Sequence, residues 1–432
     1  MTTKTWSVQS RDDSQRLEID VLALDAEYRQ TLAALRSLAR SGVRVGVGAC
    51  ASEAGAAPAL RSRWRQMSAI LPGFDADPDG FVGAVLEVLD EYPARMILPC
   101  HDGSIHALRR RRREVERRTF FPFASEAALD IAVSKTRTLA LATALGIAIP
   151  KGVVVTDESD VRAAVREFGY PVVVKPASSW GRGKRLVAQA PVNLDEALRE
   201  VEKIHAAGLQ ALVQQWLPGR RDAVSFFCTS GRIWARFAQT SHREFPPLGG
   251  VSVLSESISP LRDIVEPAEA LVRAADLDGC SMVEFRRDRE GHPVLMEVNS
   301  RLPGSVALAI SAGVDFPQLL YTWASGKPLR EIPSYRVGLR QRSLSGDISH
   351  LKYVFEGPKR TDTPSKGRAV ATFLYDFIRR PSAIDGVDRS DLLPSLVELR
   401  HGILEPILGE TLRVASGRSR KIPRRTEGAK EV

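Results

Sequence analysis

Residues 281–299 hold two runs of alternating character on either side of Asp288, Arg289, Glu290 and Gly291, all turn formers. Extended runs joined so closely pair as a β-hairpin. With those four residues as the turn, Arg287 faces His292 and Glu284 faces Leu295. The two-residue period of a strand then sets Glu284, Leu295, Glu297 and Asn299 on one face. Val283, Phe285, Val294, Met296 and Val298, all apolar, take the other face and point to a core. Glu284 and Glu297 become diagonal neighbours, about 7–8 Å apart at the backbone. Carboxylates that close repel unless a cation lies between them, and Asn299 adds a neutral oxygen. Such hard oxygen donors suit Mg2+ (or Mn2+), which combines one or two carboxylates with phosphates of a substrate.

The hairpin sits late in a chain of 432 residues, too long for one core, since cores stop growing near roughly 250–300 residues. Ahead of it, residues 19–24 and 43–47 read as strands around a helix over 27–41, and 94–99 as a third strand before a basic helix. Strand–helix alternation of this kind predicts an α/β fold with a parallel sheet. Gly46-Val47-Gly48 lacks the third glycine of a dinucleotide fingerprint and opens no helix. Residues 129–145 read as one amphipathic helix carrying Lys135, and 172–174 as a buried strand that ends in Lys175. Beyond residue 328 the periodic signals weaken, with helical patches at 370–379 and 393–404.

Apolar residues make up 44% and charged residues 26%, which excludes global disorder and a fibrous chain. No run approaches the ~18 apolar residues of a membrane helix, and residues 1–16 are polar without a signal-peptide stretch, so the cytoplasm is the expected address. Cys50, Cys100, Cys228 and Cys280 are scattered without zinc spacing and read as reduced, buried thiols. The net charge of +9 is local: one cluster spans Arg109 to Arg118 and another lies in the tail from Arg413 to Lys430. Neither is interleaved with aromatics, and the first contains Glu114 and Glu116, so no specific nucleic-acid partner is expected.

Two further stretches carry nucleotide chemistry. The loop Ser178-Ser179-Trp180-Gly181-Arg182-Gly183-Lys184 follows Lys175 directly, and hydroxyls with backbone N–H groups exposed by glycine can wrap phosphate. It is not a Walker A loop. Gln214-Gln215-Trp216-Leu217 ends a strand where backbone groups can meet an adenine edge.

Taken in order, Lys135, the Lys175 loop, the 214–219 segment and the Glu284, Glu297 and Asn299 set resemble the ATP-grasp superfamily over residues 135–327. The resemblance implies an α/β ATP-grasp fold, two α+β subdomains gripping ATP, preceded by a Rossmann-like parallel-sheet domain. The implied division is a disordered terminus at 1–16, the parallel-sheet domain at 17–122 and the ATP-grasp domain at 123–328, with its small lid at 150–212. A segment of unassigned role follows at 329–412, and a disordered basic tail at 413–432.

By the same resemblance Lys135 and Lys175, with Ser178, Gly181 and Gly183, hold the phosphates. Gln214, Gln215, Trp216 and Leu217 take the adenine, and Asp222 is the nearest candidate for the ribose. Glu284, Glu297 and Asn299 ligate Mg2+, and Arg301 steadies the transferred phosphoryl group. The linker here begins with Gln214 where the family commonly has Glu. The segment from His242 to Gly250 looks like that of ATP-grasp carboligases, and Arg236, Arg243, Gly249 and Gly250 are candidates for holding substrate. The implied activity is an ADP-forming ligase that activates a carboxylate as an acyl phosphate and couples it to an amine, both small molecules. The alternatives are a bicarbonate-activating enzyme of the carboxylase or carbamoyl-phosphate-synthase type, or an ATP-binding regulatory protein without turnover. A homodimer is the default expectation for oligomeric state.

Overall fold

A computed structural model of the chain describes residues 6–10, 18–178, 188–247, 250–357, 363–378 and 382–404. Among these, the strands form three sheets, and no helix is long and apolar enough to cross a membrane.

The first sheet is built from β1 (Ser7–Ser10), β2 (Val21–Ala23), β3 (Val45–Cys50), β4 (Arg65–Leu71) and β5 (Met96–Leu98), in the order β1-β4-β3-β2-β5. Strands β2 to β5 run parallel, in the order of half a doubly wound fold, and β1 lies antiparallel on the edge. Helices α1 (Arg29–Arg40), α2 (Pro78–Glu91), α3 (Asp102–Arg109) and α4 (Arg112–Glu116) follow their strands. Gly46 and Gly48 are packing positions: a Cβ there would stand 2.9 Å from Met67 and 2.8 Å from Leu24. Within the stretch 1–16, expected to be disordered, residues 1–5 and 11–16 lie outside the described residues and residues 7–10 form strand β1. Its neighbour Trp6 is buried and donates to Glu87 at 2.6 Å, an anchor with no periodic signature. The basic cluster is neutralised locally, Arg109 by Glu126 and Asp130, Arg112 by Glu116, and Arg118 by Asp90.

The helix expected over 129–145 is two helices, α5 (Glu126–Val133) and α6 (Lys135–Ala144). Ser134 is extended between them and caps α6, accepting from the Arg137 N–H, while pairing with Ser178 as an isolated bridge. Serine competes for backbone hydrogen bonds in just this way, so an apolar period that runs through it does not keep the helix whole.

A small antiparallel sheet, order β6-β8-β7, comprises β6 (Gly152–Val155), β7 (Val172–Pro176) and β8 (Ala211–Gln215). Helices α7 (Glu158–Phe168) and α8 (Leu194–Ala206) cover one face, burying Val161, Val165, Val201 and Ile204 against Val155, Val172 and Val174. The large sheet contains β9 (Arg221–Thr229), β10 (Arg232–Phe245), β11 (Val251–Ser257), β12 (Gly279–Arg287), β13 (Pro293–Asn299), β14 (Arg340–Arg342) and β15 (Ala383–Ile384). Its order is β13-β12-β9-β10-β11-β14-β15. Around it stand α9 (Arg262–Ala274), α10 (Val306–Ala312), α11 (Phe316–Ala324), α12 (Leu344–Glu356), α13 (Lys366–Ile378) and α14 (Leu393–Leu399). The two main cores each join this sheet to the N-terminal one, through Val283, Phe285 and Leu295 in the first and Phe227, Phe237 and Phe316 in the second.

Candidate functional site

The hairpin of β12 and β13 forms, but its register differs from the sequence expectation. Glu284 stands directly opposite Glu297, Met282 opposite Asn299, and Phe285 opposite Leu295, with an irregularity between Glu284 and Phe285. Arg287 faces Pro293 rather than His292. The extra residue on β13 turns Leu295 to the core, where it is fully buried beside Phe285. Leu295 is thereby removed from the acidic face, and the two carboxylates are closer in register than diagonal neighbours. Strict alternation cannot show a bulge.

The Asn299 amide lies between the acids, donating to Glu284 Oε1 at 3.2 Å and to Glu297 Oε1 at 3.3 Å. Its own oxygen accepts from Arg301 at 3.3 Å. Burial pushes the Glu284 carboxyl above its usual range, with Glu297 adding to the shift and Arg221 opposing it. Burial acts on Glu297 in the same direction, but Lys135, Lys175 and the Asn299 hydrogen bond hold it below its ordinary value. Among the described residues no three His, Cys, Asp or Glu side chains converge as a metal cage. Two carboxylates with an amide are the partial donor set that fits a Mg2+ completed by phosphate and water oxygens.

Four cations surround these acids on one cavity of about 500 Å3: Lys135, Lys175, Arg221 and Arg301. Lys175 is the penultimate residue of β7 and is buried; burial and Lys135 lower its ammonium to about 8, with Glu297 opposing. Lys135 opens α6, and its backbone N–H donates to Ala177 O at 3.0 Å. Arg301 is held by Asp102 at the start of α3, 2.7 Å away. Arg221 opens β9, 3.4 Å from Glu284 Oε2 and 3.4 Å from Glu244 Oε1, and donates to Gly250 O at 2.9 Å. Sequence reading missed Arg221 and Asp102. Strand parity carried the signal for Arg221: β9 pairs Ala223 with Glu284, so Arg221, two residues earlier, shares that face.

The remaining candidates are dispersed. Asp222 points to the opposite side, fully buried, paired with Arg287 at 2.8 Å and Arg220 at 3.2 Å. Gln214 is buried on β8 with both side-chain polar atoms lacking a partner among the described residues, and Leu217 is buried. None of Gln214, Gln215, Trp216 and Leu217 lines the cavity, and neither does Ser178. Arg243 is tied to Asp347 at 2.6 Å and also to Asp376, and Arg236 to Glu269 at 2.8 Å; both stand off the cavity as structural ion pairs. Gly250 lines the cavity, and a Cβ on it would stand 2.0 Å from the Phe245 carbonyl. Gly181, Gly183 and Gly249 lie outside the described residues, as does the basic tail.

A family described as ATP-grasp in the biosynthetic pathway with Ter operon matches residues 210–346. The D-alanine–D-alanine ligase of Gloeobacter violaceus is 31% identical over 221 residues, covering 46% of this chain and 68% of that protein. That of Pseudomonas entomophila is 28% identical over 206 residues, 44% of this chain and 63% of its own length. In structure, a biotin carboxylase–ATP-analogue complex from Campylobacter jejuni superposes with a TM-score of 0.60 at 16% identity, covering 74% of each chain. An L-amino acid ligase from Bacillus licheniformis gives 0.54 at 19% identity, with 73% of this chain and 76% of that one. These structures share the fold, and the family match over residues 210–346 includes the acidic hairpin. The chain belongs to the ATP-grasp superfamily.

Proposed function

We propose that the protein is an ATP- and Mg2+-dependent ligase that joins a small-molecule carboxylate to an amine and releases ADP. The observation that carries this reading is the convergence of Glu284, Glu297 and Asn299 with Lys135, Lys175, Arg221 and Arg301 on one cavity. A carboxylate is a poor electrophile because its charge is delocalised and its leaving group would be oxide. In the proposed reaction a carboxylate oxygen attacks the γ-phosphorus of ATP, the bond to the bridging oxygen breaks, and ADP leaves. The amine nitrogen then attacks the acyl carbon, the bond to phosphate breaks, and the nitrogen loses a proton.

Both steps move negative charge across the phosphoryl group, and catalysis of this kind is mostly positioning and electrostatics. Lys175 and Arg301, both on the cavity wall, would steady that charge, and Asp102 holds the Arg301 guanidinium in place. Glu284, Glu297 and Asn299 would hold Mg2+ (or Mn2+), which would neutralise negative charge on the nucleotide phosphates. Lys135 adds a further cation on the same wall. The D-alanine–D-alanine ligases and the L-amino acid ligase support carboxylate–amine chemistry.

The test is ADP release measured with MgATP over paired panels of amino acids and small carboxylic acids. Turnover with at least one pair, reduced about 100-fold or more in Glu297→Gln, is expected. Absence of ADP release with every pair, or an unchanged rate in the variant, contradicts the reading.

A further inference from the structure

The cavity extends well past the carboxylates along the large sheet. Register sets Arg221 opposite Ser241, Ser241 opposite Ser255, and Ser255 opposite Gln341. One row of side chains therefore crosses β9, β10, β11 and β14, and all four residues line the cavity. Four strand spacings of about 4.8 Å separate β12 from β14, so the row reaches roughly 19 Å from the acidic hairpin. Beyond Arg221 it is made of hydroxyls and an amide. Ser252 Oγ lies 2.8 Å from Ser241 Oγ and 2.7 Å from Ser255 Oγ. Gln239, 7% exposed on the same cavity, keeps its side-chain oxygen without a hydrogen-bond partner among the described residues.

Charge at this end is cancelled. Arg29 at the start of α1 donates to Asp385 at 2.8 Å, and Gln341 donates to the other oxygen of the same carboxylate at 3.1 Å. Glu27, a further acid on the cavity wall, is pushed up by burial to about 8 and is largely uncharged at neutral pH. A surface of neutral donors and acceptors rejects apolar groups, because their polar atoms would be left unpaired, and it offers a free charge no counter-ion. We infer that the β10–β11–β14 end of the cavity binds the uncharged, hydroxyl- or amide-bearing body of the carboxylate substrate, which is an extended polar acid rather than a single small amino acid. The assignment of that body to a carboxylate substrate rests on the ligase reading above; the chemistry of the subsite does not.

The test is calorimetric binding to the full chain in the presence of MgADP, using four six-carbon probes: gluconate, hexanoate, adipate and 6-aminohexanoate. Gluconate is expected to bind more tightly than the other three. Its affinity should fall about tenfold in Ser255→Ala and in Gln341→Met, with MgADP affinity unchanged. The substitutions sit on different strands and add no bulk, so a folding defect in one leaves the other informative. Binding of hexanoate, adipate or 6-aminohexanoate as tight as that of gluconate, no binding of gluconate, or unchanged gluconate affinity in both variants overturns the inference. Because the readout is binding without turnover, failure of ADP release would sink the ligase reading while leaving this result to stand or fall separately.

Discussion

Arg221 divides one guanidinium among Glu284, Glu244 and the Gly250 carbonyl, and Glu244 is in turn held by Arg286 at 2.6 Å. It therefore competes with any cation drawn to Glu284 while adding positive charge to the acidic end of the cavity. Two opposed effects of Arg221→Gln follow. Turnover should fall by about tenfold or more through lost charge, while the Mg2+ concentration for half-maximal rate falls because a competitor is gone. A Mg2+ titration of ADP release in both proteins separates the effects, and a raised Mg2+ requirement would falsify the competition. At this scale the sequence is informative about residue type and poor about direction. Asp222 and Arg221 are adjacent, and only the strand parity decides that Arg221 meets the cavity while Asp222 is buried under Arg287.

The segment after β15 shows how an element with no legible motif can still hold the molecule together. Asp391 is buried against α1, accepting from Arg36 Nε at 2.9 Å, Ser62 Oγ at 2.6 Å and the Arg63 N–H at 2.8 Å. Burial alone would raise this carboxyl, but those hydrogen bonds and the Arg36 charge hold it below its ordinary value. A depressed carboxylate contributes stability that is fully present above the unfolded pKa, about 3.9, and is lost as pH falls through the lower folded value. Asp391→Asn leaves Arg36 buried without its charge partner and should cost about 3 kcal/mol in denaturant unfolding at pH 7. The difference between the two proteins should shrink as pH drops below about 4. A constant difference down to the acid transition would contradict the ionised role of Asp391. Elements with strong periodicity, such as α7 with Asp157 as cap and Gly169 at its end, are legible in sequence. Strand β4 is not, since Arg65 and Gln66 open it with polar side chains that are not buried, and the hairpin bulge is invisible to any two-residue period.

Across the whole molecule, the segment at 329–412, to which sequence reading assigned no role, completes the large sheet through β14 and β15 and supplies Gln341, Ser343 and Asp385 to the cavity wall. The cavity is thus walled from all three sheet regions, with Tyr28 and Gln30 from the cap and first turn of α1 and Lys175 from the small sheet. A nucleotide bound there stabilises the folded chain as a unit. At a hundred times its dissociation constant MgADP is worth about 2.7 kcal/mol, enough to raise the melting temperature by several degrees. The shift should shrink when EDTA replaces Mg2+ and vanish in Lys175→Met. An identical shift with and without metal would place the carboxylates away from the nucleotide.

The interruption at Ser134 has a mechanical consequence. The helix that begins with Lys135 is fastened at its start to Ala177, just beyond the strand bearing Lys175, and the chain following its end is fastened to the hairpin by the Leu295 N–H on Ala148 O at 2.8 Å. The two lysines are therefore geared to one another: a swing of the small sheet that withdraws one ammonium from the cavity would drag the other, and would pull on the acidic strand as it goes.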